Sequence, residues 1–395
     1  MCIRDSFHTS RWDYDYTGGD HSGGLTKLSD KKVGIIGTGA TAIQCVPYLG
    51  EYAEELYVFQ RTPSVVDLRG NKDTDPDWYA GLEEGWQRKR RENFAAIIFG
   101  EPQPEDLVQD GWTDLAARVG FIARQRLKEG GSLDPEALKE MTEIADFQKM
   151  NEIRRRVEDT VANDEDAAEA LKPWYRLFCK RPTFNDTYLE TFNRDNVHLV
   201  DVSDAKGVER ITKRGIVANG EEYELDLIVY ATGFEITTAA TRRMDFEIEG
   251  RGGKSLFDHW AGGIRTLHGI ASHGFPNWFN IGVNQNGFSP NMTAMFDDLA
   301  IHIGYIIDEA QKRQAAVVEV EEKAEQDWVE TIRSMAANAP NREFLAECTP
   351  GYYNHEGQPD DAALQNTPYP GGINEFNAMI RKWREAGELG GFSLH

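Results

Sequence analysis

The stretch KKVGIIGTGATAIQCVPYLGEYAEELYVFQRTP, residues 31–63, decides the fold. Residues 32–36 are a β-branched apolar run that predicts a buried parallel strand. A glycine-rich turn at 37–42 opens a predicted helix that runs to residue 49, and residues 55–59 form the next predicted strand. This order of strand, turn, helix and strand predicts a βαβ unit of a dinucleotide-binding domain in an α/β protein.

The turn of this unit has the residue types that a pyrophosphate site needs. Gly37 permits the tight turn, Gly39 lets the backbone approach the ligand, and Ala42 keeps helix and strand close. The pyrophosphate would bind the free amides of the helix N-terminus. The predicted cofactor-binding residues of this segment are Gly37, Thr38, Gly39, Ala40, Thr41, Ala42 and Gln44.

The end of the second strand indicates which nucleotide is bound. An NAD site places an acid there for the ribose 2'-hydroxyl, whereas this chain has Gln60, Arg61 and Thr62. The planar guanidinium of Arg61 can bind a phosphate through two hydrogen bonds. A charged hydrogen bond contributes about 1.5 to 3 kcal/mol, which is enough for a tenfold or larger preference. We therefore predict that the cofactor is NADP(H), with Arg61 and Thr62 at its 2'-phosphate.

Composition and charge disfavour several classes of partner. The 395 residues suffice for two or three domains, and 43 Lys and Arg against 66 Asp and Glu give a net charge of −23. This charge disfavours nucleic acid and anionic membrane surfaces as partners. No apolar run approaches the roughly 18 residues of a membrane span, and the N-terminus lacks the pattern of a signal peptide.

The four cysteines bear on the cellular compartment. Cys2, Cys45, Cys179 and Cys348 lie far apart, and none belongs to a CxxC pair. This spacing argues against a metal site or a disulfide framework and favours a reducing cytoplasm.

The segment before the first strand contains a short motif. His8 and Trp12 lie four residues apart and are followed directly by Asp13. The motif resembles the second half of the Baeyer–Villiger monooxygenase fingerprint, Phe-x-Gly-x-x-x-His-x-x-x-Trp closed by Pro or Asp. The Phe and Gly of that fingerprint would fall at positions 2 and 4, which hold other residues. We therefore expect residues 1–6 to be foreign and the chain to be an N-terminally truncated family member.

The resemblance extends to the Lys-Arg-Pro segment at 180–182. It implies that Arg181 is the active-site arginine beside the flavin, and that Lys180 is a second contact to the NADP 2'-phosphate. A guanidinium stays charged and can stabilise both a peroxide anion and the oxyanion formed when that peroxide adds to a carbonyl. A surface pair of cations is the alternative interpretation of these two residues.

Residues 221–234 are predicted to form a strand that ends in Ala231, Thr232 and Gly233. This ending resembles the returning strand of flavin-dependent oxidoreductases that bind two dinucleotides, and it makes these three residues candidate cofactor contacts. A plain glycine at a strand-to-loop junction is the alternative.

A Gly/Asn loop at 282–292 follows, and in the family this loop lies over the flavin and the substrate. The resemblance makes Phe288, Asn291 and Met292 candidate substrate-pocket residues. It also places Tyr352 where relatives have an aromatic residue near the nicotinamide ribose. No metal site is predicted, because His259, His268 and His273 lack companions with metal-ligand spacing, and we expect them to be structural.

The predicted organisation is a linker at 1–30, an NADP-binding domain at 31–182, and a returning FAD-domain segment with the C-terminal substrate region at 183–395. Charged stretches with helical spacing predict a helical insertion at about residues 78–171 of the NADP domain. Within the insertion, the run Arg88 to Arg91 could form a phosphate patch. The acids at 83, 84 and 92 flank the run and favour a solvated helix face instead.

The resemblance covers the chain from Phe7 to its C-terminus and implies a Rossmann-like flavoprotein fold that binds two dinucleotides. Because the chain has a single fingerprint of this kind, we expect the first FAD-binding βαβ unit to be missing and the FAD site to be incomplete. The full-length protein is implied to reduce FAD with NADPH and to form a flavin C4a-peroxide with O2. The peroxide then inserts one oxygen into a ketone, giving an ester or lactone.

Two alternative functions remain at this point. The first is a related flavin monooxygenase that oxidises nitrogen or sulfur and does not require Arg181 beside the flavin. The second, from a different class, is a non-catalytic NADP-binding module.

Overall fold

The computed structural model describes residues 6–234, 244–339, 342–349, 351–357 and 362–395. The chain divides into two compact units. Unit 1 comprises Met1–Tyr79 and Gln109–Phe234, and unit 2 comprises Ala80–Val108 and Glu235–His395.

The described strands are β1 Ser6–His8, β2 Lys32–Ile36, β3 Glu55–Gln60, β4 Val66–Asp67, β5 Thr183–Phe184, β6 Val197–Asp201, β7 Arg210–Ile211, β8 Gly215–Ala218, β9 Glu221–Glu224, β10 Leu227–Tyr230, β11 Val318–Val320 and β12 Phe392–Leu394. The described α-helices are α1 Tyr14–Thr17, α2 Ala40–Tyr52, α3 Pro76–Ala80, α4 Trp86–Ile98, α5 Asp114–Lys128, α6 Pro135–Thr160, α7 Glu165–Ala170, α8 Tyr188–Thr191, α9 Leu256–His259, α10 Met292–Lys312, α11 Glu322–Ala337, α12 Arg342–Glu347 and α13 Gly372–Ala386.

Unit 1 is built on a parallel sheet with strand order β1-β10-β2-β3-β6. Val33, Gly34 and Ile35 in β2 are all buried, as expected for a central strand of a parallel sheet that is covered on both faces. β2 pairs in parallel with β3, and α2 lies between them in the chain. The predicted βαβ unit is therefore confirmed, and the carboxyl ends of β2 and β3 meet at the same edge of the sheet.

The prediction of one strand over residues 221–234 is wrong. β9 pairs antiparallel with β8 in a small sheet of order β7-β8-β9, and β10 then joins the parallel sheet between β1 and β2. The chain changes sheet at Asp226, whose amide donates to the carbonyl of Lys32 and whose carboxylate accepts from the amide of Lys32. These two hydrogen bonds align the start of β10 with β2. The preceding strand, β9, therefore ends before Asp226.

Helices α3 to α7 occupy the segment in which the helical insertion is expected. Residues 80–108 of that segment group with unit 2. The remaining helices belong to unit 1, where α5 and α6 share a buried cluster that includes Leu115, Met150, Ile153 and Leu177. The predicted domain boundaries stay a prediction.

Unit 2 has its core among α10, α11, α13 and the antiparallel pair β11 and β12. Leu299, Ile306, Trp328, Phe376 and Phe392 are buried in one cluster. No helix among the described residues is both long enough and apolar enough to span a membrane.

The state of the cysteines differs from expectation. Cys179 and Cys348 are disulfide-bonded, whereas Cys45 is a free thiol. The spacing argues against a disulfide framework, and the bonded state of Cys179 and Cys348 departs from that expectation.

Candidate functional site

The glycine-rich turn of unit 1 packs against the end of β10. Gly37 adopts φ 107°, and its amide donates to the carbonyl of Phe59. A Cβ added to Gly37 would lie 2.6 Å from the carbonyl oxygen of Ala231. Both the backbone conformation and this close approach require glycine at position 37.

The space in front of α2 fits a pyrophosphate. The N-cap residue of α2 is Gly39, which has no side chain to accept a hydrogen bond from the first amides of the helix. A Cβ added to Gly39 would meet nothing within 4 Å. Ala42, by contrast, is fully buried in the core of unit 1. Open space beside free helix amides is the arrangement that binds phosphate groups.

Hydrogen bonds tie this turn to the segment that follows β3. The Thr38 hydroxyl donates to the carbonyl of Thr62 over 2.9 Å, and the Ser64 hydroxyl donates to the carbonyl of Thr38 over 2.6 Å. Thr38 is only 4% exposed, so its hydroxyl is used within the protein. Sequence reasoning missed Ser64, for which no local pattern gives a signal. The exposed Gln44 side chain donates to the carbonyl of Ala40.

Arg61 directly follows β3 and is exposed, whereas the preceding residue, Gln60, is buried. Gln60 is 1% exposed and donates to the carbonyl of Ala170 over 2.7 Å. The Oε1 atom of Gln60 is buried and has no hydrogen-bond partner among the described residues. The strand end therefore offers a neutral acceptor and a cation, without the acid of an NAD site.

The segment that carries Lys180 and Arg181 is fixed by side chains of α6. The Asp146 carboxylate accepts from the amide of Leu177 over 2.9 Å, and Arg154 donates to the carbonyl of Pro173 over 3.0 Å. On the other side, Arg156 donates to the carbonyl of Asn185 over 3.2 Å. Burial raises the pKa of Asp146. α6 thus holds the backbone both before and after Arg181.

Tyr175 joins the two segments that carry the predicted 2'-phosphate ligands. Its hydroxyl donates to the carbonyl of Pro63 over 2.8 Å. The Lys180 ammonium lies 5.8 Å from the centre of the Tyr175 ring. Burial raises the pKa of Tyr175 well above its usual value, so this hydroxyl stays protonated and donating. Tyr175 and Asp146 were not found from the sequence, because their partners lie 112 and 31 residues away.

Arg181 itself is exposed. Among the residues that the structure describes, it forms neither an ion pair nor a hydrogen bond.

The fingerprint residues lie beside the end of β10. β1 pairs with β10, with His8 opposite Tyr230. The His8 ring lies 5.3 Å from the Phe234 ring, next to the candidate segment 231–233. The Trp12 indole donates to the hydroxyl of Thr17 over 3.1 Å, and Asp13 caps α1 by accepting from the amide of Tyr16. The fingerprint and segment 231–233 therefore share one edge of the sheet in unit 1.

The candidate substrate residues lie in unit 2. Asn291 caps α10 by accepting from the amide of Ala294 over 3.2 Å. Phe288 and Met292 are half-buried against a small apolar cluster. Tyr352 begins a short 3₁₀ helix, Tyr352–Gly357. The roles of these residues in substrate or nicotinamide binding stay predictions.

The histidines singled out in the sequence have protein partners. His259 contacts Glu325 over 2.9 Å, His268 contacts His302 over 3.1 Å, and His273 contacts the carbonyl of Val320 over 2.8 Å. Within the described part of the chain, no group of His, Cys, Asp and Glu side chains is arranged to hold a metal ion.

Comparison with known proteins finds relatives that match almost the whole chain. No protein-family model matches it. Pentalenolactone D synthase of Streptomyces exfoliatus is 51% identical over 391 residues, which are 98% of this chain and 66% of the relative. Baeyer–Villiger monooxygenase ATR8 of Stachybotrys chlorohalonatus is 46% identical over 392 residues, which are 98% of this chain and 61% of the relative. The chain thus spans slightly less than two thirds of these relatives.

Solved structures also match almost the whole chain. The polycyclic ketone monooxygenase of Thermothelomyces thermophila superposes with a TM-score of 0.87 at 37% identity, covering 99% of this chain and 64% of that one. OTEMO in complex with FAD and NADP superposes with a TM-score of 0.67 at 25% identity, covering 99% of this chain and 70% of that one. The fold is therefore the Rossmann-like fold of these flavoproteins.

Proposed function

This chain belongs to the Baeyer–Villiger monooxygenase family, and we propose that the whole protein inserts one oxygen atom of O2 into a ketone, giving an ester or lactone, with NADPH and FAD as cofactors. The observation that carries the proposal is the 46% identity to a Baeyer–Villiger monooxygenase over 98% of the chain. The ketone and O2 are accordingly the proposed small-molecule partners.

We assign NADP(H) to the turn at 37–42. Its pyrophosphate would occupy the open space at Gly39 and accept from the first amides of α2. Arg61 and Lys180 would bind the 2'-phosphate, with Tyr175 keeping their two segments together. The described residues contain one glycine-rich turn of this kind. For FAD we propose segment 231–233 as the contribution of unit 1.

Arg181 is the proposed catalytic residue. The nicotinamide supplies a hydride and the flavin supplies the oxygen chemistry, so the protein has to bind, orient and stabilise charge. No described carboxylate pairs with the Arg181 guanidinium, which can therefore donate to negative charge that develops on the ketone oxygen. α6 fixes the backbone on both sides, which reduces the cost of placing the guanidinium.

The Arg181→Ala variant tests this role. We expect ketone oxygenation by the FAD-loaded protein to fall by about 10²-fold or more, because a preorganised donor to an oxyanion is lost. NADPH-driven flavin reduction should persist, since it does not use this donor. Ester formation and flavin bleaching are measured separately. Arg155→Ala, at an exposed position of α6, is the matched control and should leave both rates unchanged.

Ester formation by Arg181→Ala at the unaltered rate would contradict the role of Arg181. A protein that oxidises amines or sulfides but no ketone would favour the alternative monooxygenase reaction. Binding of NADPH without oxygen-dependent turnover would favour the non-catalytic module. A cytoplasmic location stays a prediction, and the disulfide-bonded state of Cys179 and Cys348 removes part of its basis.

A further inference from the structure

Unit 2 contains a cleft between α4, α10 and α13 that is open to solvent. Four guanidiniums line it: Arg88 and Arg91 come from α4, and Arg381 and Arg384 come from α13. Such a concentration of cations is unusual in a chain whose net charge is −23. The sequence does not reveal it, because Arg88 and Arg381 are almost 300 residues apart.

The acids near these arginines leave an excess of positive charge. Glu92 Oε1 lies 3.6 Å from Arg88 Nε and 3.8 Å from Arg381 Nη2. One carboxylate oxygen thus forms long ion pairs with two guanidiniums. The other nearby acids, Asp297 and Asp298, pair with Arg91 over 3.2 and 3.6 Å. Glu92, Asp297 and Asp298 therefore face four arginines, which leaves an excess of one positive charge.

Arg384 is the least compensated of the four. It is half-buried, and no carboxylate of the described residues lies within ion-pair distance of it. Its guanidinium contacts only a neutral acceptor, the Nδ1 atom of His302, over 3.4 Å. Burial, together with the charges of Arg381 and Arg88, lowers the pKa of Arg384. A half-buried cation beside two others is stabilised by an anion that enters from the solvent.

The rest of the lining indicates what that anion carries. Ile301 gives the cleft an exposed apolar side chain, whereas Ile373 and Ile380 line it but are buried. Asn374 and Ser289 are polar residues of the same lining. A ligand with a charged head at the arginines and an apolar part against Ile301 would match this lining.

We propose that the cleft of α4, α10 and α13 binds an organic anion whose carboxylate or phosphate head contacts Arg384, Arg381 and Arg88, and whose apolar body lies on Ile301. All of the lining residues belong to unit 2. The inference does not depend on the proposed oxygen insertion, because binding here needs neither cofactor nor ketone.

Calorimetric titration of the 395-residue chain with decanoate, decyl phosphate and decanol tests the proposal. These probes share one apolar body, and only the first two carry a charged head. We expect at least one anionic probe to bind about tenfold or more tightly than decanol, because a charged hydrogen bond to arginine outweighs a neutral one. The tighter of the two anions identifies the head group.

Variants locate the site. Arg384→Gln should weaken anion binding about tenfold or more, and Arg381→Gln, at an exposed position, should weaken it in the same direction without affecting the fold. Arg124→Gln removes the same charge from an exposed position of α5 in unit 1 and should leave binding unchanged. The proposal is overturned if decanol binds as tightly as both anions, or if Arg124→Gln weakens binding as much as Arg381→Gln.

Discussion

At the scale of single residues, the candidate nucleotide site depends on groups that have few alternatives. A Cβ at position 37 would clash with the carbonyl oxygen of Ala231, so only glycine fits there. Thr38 and Ser64 use their hydroxyls to hold the turn against the segment after β3. Arg61 is exposed and directly follows β3. We therefore expect the choice between NADPH and NADH to depend on Arg61 more than on the turn, which both cofactors would use equally.

We expect Arg61→Ala to weaken NADPH binding by tenfold or more while NADH binding changes little, because only NADPH has a phosphate for the guanidinium. The dissociation constants of both cofactors are measured on the same preparation. Arg69→Ala, at an exposed position of the following loop, is the control. Equal losses for the two cofactors in Arg61→Ala would rule out the assignment of Arg61 to the 2'-phosphate.

At the scale of secondary-structure elements, α6 is the support of the candidate site in unit 1. Its side chains bind the backbone at Pro173, Leu177 and Asn185, so the segment with Lys180 and Arg181 is held by a helix that contributes no residue to the predicted chemistry. Lys149 of the same helix is buried between Asp67 and Asp114, over 2.6 and 2.8 Å. One long helix thereby links β4, α5 and the Arg181 segment.

Substitution of Asp146 tests whether α6 holds the segment that carries Arg181. Asp146→Ala leaves the buried Leu177 amide without a partner, and we expect a loss of about 1 to 3 kcal/mol in the free energy of unfolding. Asp146→Asn keeps an acceptor oxygen and removes a charge that burial disfavours, so it should cost less. Urea unfolding at neutral pH compares the two variants. Equal losses in both would mean that the charge of Asp146, and not its hydrogen bond, holds the segment.

At the scale of the whole molecule, two buried histidines make stability depend on pH. Burial lowers the pKa of His268 to about 4, and burial with the charges of His268 and Arg384 lowers that of His302 to about 2. Both histidines stay neutral in the folded protein while they take up protons in the unfolded chain below its ordinary pKa. Their contribution to stability is therefore complete above about pH 6.5 and decreases as the pH falls towards the folded values.

The expected loss is about 1.4 kcal/mol per pH unit for each histidine between pH 6.5 and pH 5. Urea unfolding midpoints across this range measure it. In His302→Gln one titrating group is gone, so the slope should fall by about half, whereas His21→Gln, at an exposed position, should keep the slope. An unaltered slope in His302→Gln would show that other groups cause the pH dependence.

The sequence by itself determined the features that depend on residues close in the chain. Strand β2, the turn at 37–42, helix α2 and strand β3 follow from an apolar run, two glycines and a second apolar run, since each forms through local backbone preferences and periodic burial. The family is likewise visible in short motifs at fixed spacing, which the comparisons confirm.

Only the tertiary structure decided what distant residues do together. The break between β9 and β10, the support of the Arg181 segment by Asp146, and the arginine cleft of α4 and α13 all arise from contacts between residues far apart in the chain. Local patterns report the preference of a segment, whereas hydrogen bonds and charges depend on which segments the completed fold places side by side.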